Sequence, residues 1–370
     1  MFRLTKFLVG LALIALLVCG SLATSGLADG GANHRVRNTH FGVSGGNVND
    51  ASRAFCCSGT LGALVTFGTV QYILSNNHVL GRSDQAAAGE DISQPGLIDN
   101  GCRIATIVGD FTAAVPLGSN VDAAVAQLRA GTMDASGFIE DIGVPSNTTL
   151  APAVGMSVAK SGRTTGLTTG TVSSTNTSVS VQYQKGCGGG KKFVVSYTNQ
   201  VVINSSTFSA GGDSGSLIVT NDSTHNPVAL LFAGSSTTTI GNPIDEVLTK
   251  LGAALAGGSG GFSGKGKIHG APSGRGEQGM EPFIPGLAGG NRQLPQQAAA
   301  RALSVLEIHR ANLMFQPGVI GAGVGTTAED DQEAAIVVYI DRTSGERPLL
   351  SPSLDGIPVR LVLTDPFVAF

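Results

Sequence analysis

The chain has 370 residues, enough for two or three domains, and 42% of them are hydrophobic against 13% charged. That balance excludes a disordered chain, and a net charge of −3 with no tryptophan and no basic run among stacking aromatics gives nucleic-acid binding no support. Glycine is abundant, at 53 residues, and with runs of Val, Thr and Ser it favours short strands and tight turns over long helices.

Residues 1–28 read as an export signal: Arg3 and Lys6 precede an apolar core, Phe7 to Val18, and small residues around Ala23 and Ala28 offer cleavage sites. The protein is therefore expected to be secreted or periplasmic. An uncleaved membrane anchor is the alternative, although the apolar core is short for a span. Cys19 suggests lipidation, but Val18 is poorly suited to precede a lipidated cysteine. Residues 29–52, rich in Gly, Asn and Ser, read as a flexible N-terminal segment. Beyond the signal lie Cys56, Cys57, Cys102 and Cys187, for which three pairings are open; the adjacent Cys56 and Cys57 are not expected to bridge each other. Their spacing lacks paired Cys-x-x-Cys motifs and nearby histidines, so neither a metal nor another cofactor is expected.

A hairpin is expected from Cys57 to Phe67 and from Val70 to Leu74, around a Gly68-Thr69 turn, and it delivers Ser75-Asn76-Asn77-His78-Val79-Leu80 at its end. Turns follow at Gln94-Pro95-Gly96 and Asp99-Asn100-Gly101, and strands at Ile104 to Val108 and Val121 to Leu128. Asp122 sits inside an apolar, alternating run where burial is natural; Asp110, in a Gly-Asp-Phe turn, is its rival as the acid. After a connector with Gly143 and Pro145, strands are expected at Val158 to Val172, Val179 to Tyr183, Phe193 to Tyr197, Gln200 to Ile203, Ser216 to Thr220 and Val228 to Ser236. A closing helix, Asn242 to Leu251, would take Asn242 as its cap and Pro243 in its first turn.

The chain is organised around Phe208-Ser209-Ala210-Gly211-Gly212-Asp213-Ser214-Gly215-Ser216-Leu217. A nucleophilic serine must project from a tight loop whose own N–H groups point at the developing oxyanion. Glycines at 211, 212 and 215 permit such a loop, and the N–H groups of Gly212 and Ser214 are the natural oxyanion donors. With His78 and Asp122 upstream, the order is His, Asp, Ser. This order, with Gly-Thr-Leu-Gly-Ala-Leu-Val, Ser-Asn-Asn-His-Val-Leu, Lys-Ser-Gly-Arg-Thr-Thr-Gly, Gly-Asp-Ser-Gly-Ser-Leu and Leu-Phe-Ala-Gly-Ser, resembles the bacterial branch of the chymotrypsin/trypsin-like serine peptidases over residues 55–252.

The resemblance implies a mainly β fold: two six-stranded antiparallel Greek-key β-barrels, at about 53–135 and 150–252 within a peptidase domain at 53–252. His78 would be general base, Asp122 its orienting acid and Ser214 the nucleophile. Phe208 would lie at the base of the primary pocket, and Gly234, Ser235 and Ser236 would form the wall strand that binds substrate backbone. Without an acid at the pocket base, a small or apolar residue is expected before the scissile bond rather than Lys or Arg. No Ile-Val-Gly-Gly sequence provides a new N-terminus for Asp213, which is expected to brace the serine loop without such a partner. Arg163 is expected in a turn, bonded to backbone carbonyls, and the remaining histidines at the surface.

A Gly/Ser/Pro-rich linker at 253–296 then leads to a small α/β domain at 297–370, which resembles a module found beside bacterial trypsin-like domains. It combines a helix, Ala298 to Met314, carrying Ala299, Leu303, Leu306 and Leu313 on one face, with strands at Val319 to Gly325, Ala334 to Asp341 and Val359 to Thr364. Gly321-x-Gly323-x-Gly325 is followed by an acidic loop, not a helix, and fails as a nucleotide loop; its glycine face is expected against the helix. The whole reads as an exported serine endopeptidase acting on protein or peptide substrates, with no membrane partner beyond the export signal. The alternatives are a trypsin-fold binding or scaffold protein with little or only self-cleaving activity, and an esterase. Oligomeric state is left open.

Overall fold

A computed structural model describes residues 32–256, 258 and 293–370. The expected export signal at 1–28 and most of the expected linker at 253–296 lie outside the described residues. The first barrel contains β1 (Val43–Asn47), β2 (Gly59–Leu61), β3 (Ala63–Phe67), β4 (Val70–Ser75), β5 (Asp91–Gln94), β6 (Thr106–Ala114) and β7 (Ala124–Leu128), in the order β3-β4-β7-β6-β5-β1-β2. β2 and β3 are one strand interrupted at Gly62, so six strands close on themselves. The interruption has a steric cause. A Cβ at Gly62 would lie 1.8 Å from the Gly215 carbonyl oxygen, so the strand passes against the serine loop where only glycine fits. β4 runs from exposed Val70 to fully buried Ile73, Leu74 and Ser75, and that burial draws the following short helix, α1 (Asn77–Leu80), into the interior.

Residues 32–52 correct the expectation of a flexible segment. All five residues of β1 are buried, and the strand pairs with both β2 and β5. Its glycines read as loop in the sequence, but a Cβ at Gly45 would lie 2.4 Å from the Leu61 side chain, so they permit close strand approach. His34, expected at the surface, is buried with Nδ1 2.8 Å from the Gly42 carbonyl oxygen.

The second barrel has six strands, as expected in number but divided differently: β8 (Ser157–Gly162), β9 (Gly166–Gln184), β10 (Lys192–Asn204), β11 (Leu217–Thr220), β12 (Pro227–Gly234) and β13 (Thr238–Pro243). Of these, β8 and part of β9 were expected as one strand, β10 as two and β13 not at all. It ends in α2 (Ile244–Leu251), closed by Gly252 in the left-handed conformation. Asn242 is not its cap: it lies in β13 and points its side chain at the first barrel. β14 (Ala254–Leu255) then returns to pair with β3, so the barrel unit runs past the expected boundary at 252. Two disulfides, Cys56–Cys102 and Cys57–Cys187, settle the pairing, and the second ties the barrels together.

The last segment comprises α3 (Gln296–Phe315), β15 (Val319–Thr326), β16 (Ala334–Asp341), β17 (Ser353–Leu354), β18 (Ile357–Thr364) and β19 (Phe367–Ala369). α3 buries Ala302, Val305, Leu306 and Leu313 on β15 and β16. The linker's end is packed, since Leu294 N–H donates to the Val154 carbonyl at 2.9 Å. This segment extends the second barrel. β15 pairs antiparallel with β9, with Gly321 opposite Val179, and β16 pairs parallel with β18. The glycines of β15 face β9, where a Cβ at Gly323 would lie 2.2 Å from Thr177 Oγ1; the expected glycine face against the helix is corrected accordingly. β19 adds between the barrel strands, antiparallel to β12 and parallel to β9. Among the described residues, no helix is long and apolar enough to cross a membrane.

Candidate active site

His78 lies in α1 at the end of β4, on the face of the first barrel that meets the second. Asp122 precedes β7 and is fully buried. Its Oδ2 lies 2.6 Å from His78 Nδ1, and its Oδ1 accepts the His78 backbone N–H at 3.2 Å. Asn76 donates to the Asp122 carbonyl at 2.7 Å, and the Asn242 side-chain oxygen accepts the Asp122 N–H at 3.0 Å. The acid's backbone is thus held from both barrels. Asp110, the rival acid, faces Arg129 at the surface, 2.6 Å away.

Tyr183 also reaches Asp122, and the sequence reading missed it. Its hydroxyl donates to Oδ2 at 2.9 Å. Because that proton is committed, Tyr197 donates to the Tyr183 oxygen at 2.7 Å. The two tyrosines line up only through the β9–β10 hairpin, where Val179 stands opposite Tyr197 and Tyr183 opposite Phe193. Alternation placed both in strands; only the register brings them to one carboxylate.

Ser214 is carried by the loop between β10 and β11. Gly212 and Gly215 have φ of 97° and 95°, values that a side chain strains. Among the described residues, no protein acceptor takes the N–H of Gly212 or Ser214. Gly59 sets the distance between loop and helix, since a Cβ there would lie 2.5 Å from Val79 and 3.0 Å from the Ser214 carbonyl oxygen. Ser214 Oγ donates to the Phe232 carbonyl oxygen at 3.2 Å, while His78 Nε2 lies 3.0 Å from the main-chain oxygen of Phe370.

Asp213 has a partner that the sequence did not suggest. Lys160 Nζ lies 3.5 Å from its Oδ2, and both side chains are fully buried. The carboxylate also accepts the backbone N–H groups of Thr164, Thr165 and Ala210 at 2.8, 3.2 and 3.0 Å. The ammonium donates to the Gly166 carbonyl at 2.9 Å. Burial lowers the pKa of Lys160, with Asp213 acting in opposition. Arg163 is corrected as well: its guanidinium meets Asp99 through two bonds, at 2.6 and 2.7 Å, rather than backbone carbonyls.

Phe208 is fully buried in an apolar cluster with Met156, Val172, Ile203 and Leu231. Gly234 ends β12 and pairs with Val368. Ser235 and Ser236 lie beyond the strand. Ser235 Oγ is 2.7 Å from Thr364 Oγ1, and Ser236 Oγ donates to Asp365 at 2.5 Å. A cavity of about 290 Å³ adjoins Phe370, lined by His78, Arg82, Arg163, Tyr183 and Gly212.

Burial disfavours the His78 imidazolium. The Asp122 charge and hydrogen bond, the Phe370 oxygen and the Asp50 charge outweigh it, and the ring titrates above the ordinary histidine value. Asp50 is itself pushed up to about 6 by burial, against the pull of His78 and Arg82. Followed by NMR, His78 should titrate above about 6.5, and Asp122→Asn should move its midpoint down. Asp50→Asn should move it the same way by less; an unmoved midpoint in Asp122→Asn would refute this account. The raised pKa contributes stability present below the unfolded value and lost as pH rises through the folded one.

The family described as the Nal1 C-terminal domain matches residues 104–241, a stretch that holds Asp122 and Ser214 but not His78. No curated protein matches the chain by sequence. Its solved structural neighbours are bacterial trypsin-like serine proteases. One is a glutamic acid specific serine protease described as using a histidine triad in substrate binding, with 22% identity and a TM-score of 0.43, over 58% of this chain and 98% of that one. Protease A of Thermobifida fusca has 19% identity and a TM-score of 0.41, over 60% and 99%. The Nocardiopsis protease has 17% identity and a TM-score of 0.41, over 59% and 98%.

Proposed function

We propose that the protein is an exported serine endopeptidase that hydrolyses peptide bonds through Ser214, His78 and Asp122. The observation that carries this reading is the fully buried Asp122 carboxylate, held by His78 Nδ1 at 2.6 Å, with Nε2 turned toward the cavity that the serine loop lines through Gly211 and Gly212; Ser214 itself is buried and bonds Phe232, not His78. In that arrangement Asp122 fixes the proton on Nδ1, so Nε2, once the Phe370 oxygen leaves it and its proton is lost, takes the proton of the Ser214 hydroxyl as it attacks a peptide carbonyl. The imidazolium then returns the proton to the leaving amine, and the acyl-enzyme is hydrolysed by water activated at the same nitrogen. The N–H groups of Gly212 and Ser214 stabilise the tetrahedral oxyanion, each worth about 10²–10³ in rate. Gly234, Phe208 and the Ser235-Ser236 turn frame the substrate cleft. Two disulfides suit an oxidising compartment, in keeping with the export signal at 1–28.

A second reading, a trypsin-fold binding protein with little or only self-cleaving activity, is favoured by one observation: Ser214 Oγ turns to Phe232, and His78 Nε2 faces Phe370. Labelling with a fluorophosphonate probe separates the two, because it reports an activated serine without a known substrate. Covalent labelling of the wild type that is absent from Ser214→Ala and His78→Ala is the expected result. Label retained by Ser214→Ala would refute the assignment.

A further inference from the structure

Residues 367–370 lie along β12 as an extended strand. Ala369 stands opposite Ala233 and Val368 opposite Gly234, antiparallel. The Phe370 N–H points at the Phe232 carbonyl oxygen, 3.5 Å away, the same oxygen that Ser214 Oγ uses. The Phe370 main-chain oxygen is 3.0 Å from His78 Nε2. Its ring enters the apolar cluster that contains Phe208, Met156 and Val172, passing over Gly234, where a Cβ would lie 2.6 Å from Phe370 Cζ. One residue thus has its backbone along β12, its main-chain oxygen at His78 Nε2 and its side chain against the Phe208 cluster.

We propose that Phe367–Phe370 is bound in cis as an extended substrate analogue, which makes the preferred substrate a peptide with a large aromatic residue before the scissile bond. This proposal rests on the peptidase reading and deepens it. The pocket chemistry supports an aromatic residue. The Phe370 ring packs against apolar side chains, and the buried Lys160 ammonium, 6.0 Å from the Phe208 ring, is engaged by Asp213. A Lys or Glu side chain in that place would carry an unpaired charge out of water. The expectation of a small or apolar residue is narrowed to the aromatic end.

The segment is tethered where it enters the cleft. Arg342 grips Asp365 through two bonds, at 2.6 and 2.8 Å, and Ser236 donates to the same carboxylate. Phe367 is buried against Tyr339, ring centroids 5.9 Å apart. A strand held this way competes at the high effective concentration of an intramolecular ligand, so the last segment of the chain restrains the site it adjoins.

The test compares fluorophosphonate labelling of the full chain with that of Phe370→Asp, with Phe370→Ala as a milder variant should the first fold poorly. Labelling about tenfold faster or more is expected once the ring leaves the pocket. The synthetic peptide Pro-Phe-Val-Ala-Phe should then slow labelling of the variant, and the same peptide ending in Asp should not. Peptide substrates should be cut about tenfold or more faster after Phe than after Ala, Lys or Glu. Equal labelling of wild type and both variants, or fastest cleavage after Lys, Glu or Ala, would overturn the proposal while leaving the peptidase reading intact. If no protein labels, the peptidase reading fails. Anisotropy of the fluorescein-labelled peptide with Ser214→Ala/Phe370→Asp then decides: binding upholds occupancy by the segment, and no binding overturns it.

Discussion

Asp122→Asn should lower peptide hydrolysis by about 10⁴-fold while the fold persists. The loss comes from a tautomer. In the wild type, Oδ2 accepts from both His78 Nδ1 and the Tyr183 hydroxyl, and Oδ1 accepts the His78 backbone N–H. An asparagine that keeps its oxygen on the backbone N–H must place its amide nitrogen where Oδ2 was. That amide donates to Nδ1, the imidazole proton moves to Nε2, and the nitrogen facing the cleft can no longer accept a proton from Ser214. The comparison is best made between chains that both carry Phe370→Asp, with Ser214→Ala as the floor. Tyr183→Phe in the same background removes one of three donors to the carboxylate. A hydrogen bond to a charged group contributes about 1.5–3 kcal/mol, so the loss should be roughly ten- to hundredfold, short of Asp122→Asn. Equal activity of Asp122→Asn and wild type would show that Asp122 does not set the tautomer.

What the sequence made legible was local. His78, Asp122 and Ser214 stand in short phrases whose residue types are dictated by the turn or strand that carries them. Most of the strand-forming sequence of the second barrel followed from Thr and Val runs with glycine at the bends, although β13 was not read as a strand and the breaks between strands were misplaced. What escaped depends on contacts between residues far apart in the chain. Tyr183 and Tyr197 meet through a hairpin register, and Asn242 was read as a helix cap because a polar residue before proline fits that role locally. In the fold its oxygen serves the backbone of Asp122 instead. The glycines of β1 and β15 were ambiguous because glycine marks both flexible loops and strands in close approach; only the neighbouring strand decides between them. Phe370 carried no signal at all, since an apolar residue after a short strand has no pattern that points to a cleft on another part of the chain.

Lys160→Met is expected to destabilise the protein by about 3–5 kcal/mol, measured by urea unfolding, because it leaves the Asp213 carboxylate buried without its countercharge. Both groups are fully buried, so solvent does not screen the loss. The carboxylate still has three backbone N–H donors, which limits the damage, but none of them carries a full charge. Asp213 lies between Gly212 and Ser214, so a carboxylate that shifts to find water would turn the two N–H groups proposed for the oxyanion, and activity should fall with stability. Lys160→Met combined with Asp213→Asn removes both charges and should recover part of the stability, because an unpaired buried charge costs more than a missing pair. Activity need not recover with it, since the loop would be held only by neutral hydrogen bonds, from backbone N–H groups and the Thr165 hydroxyl. If the single variant unfolds at the wild-type urea concentration, the ion pair does not hold the serine loop, and the backbone donors from Thr164 and Thr165 must suffice.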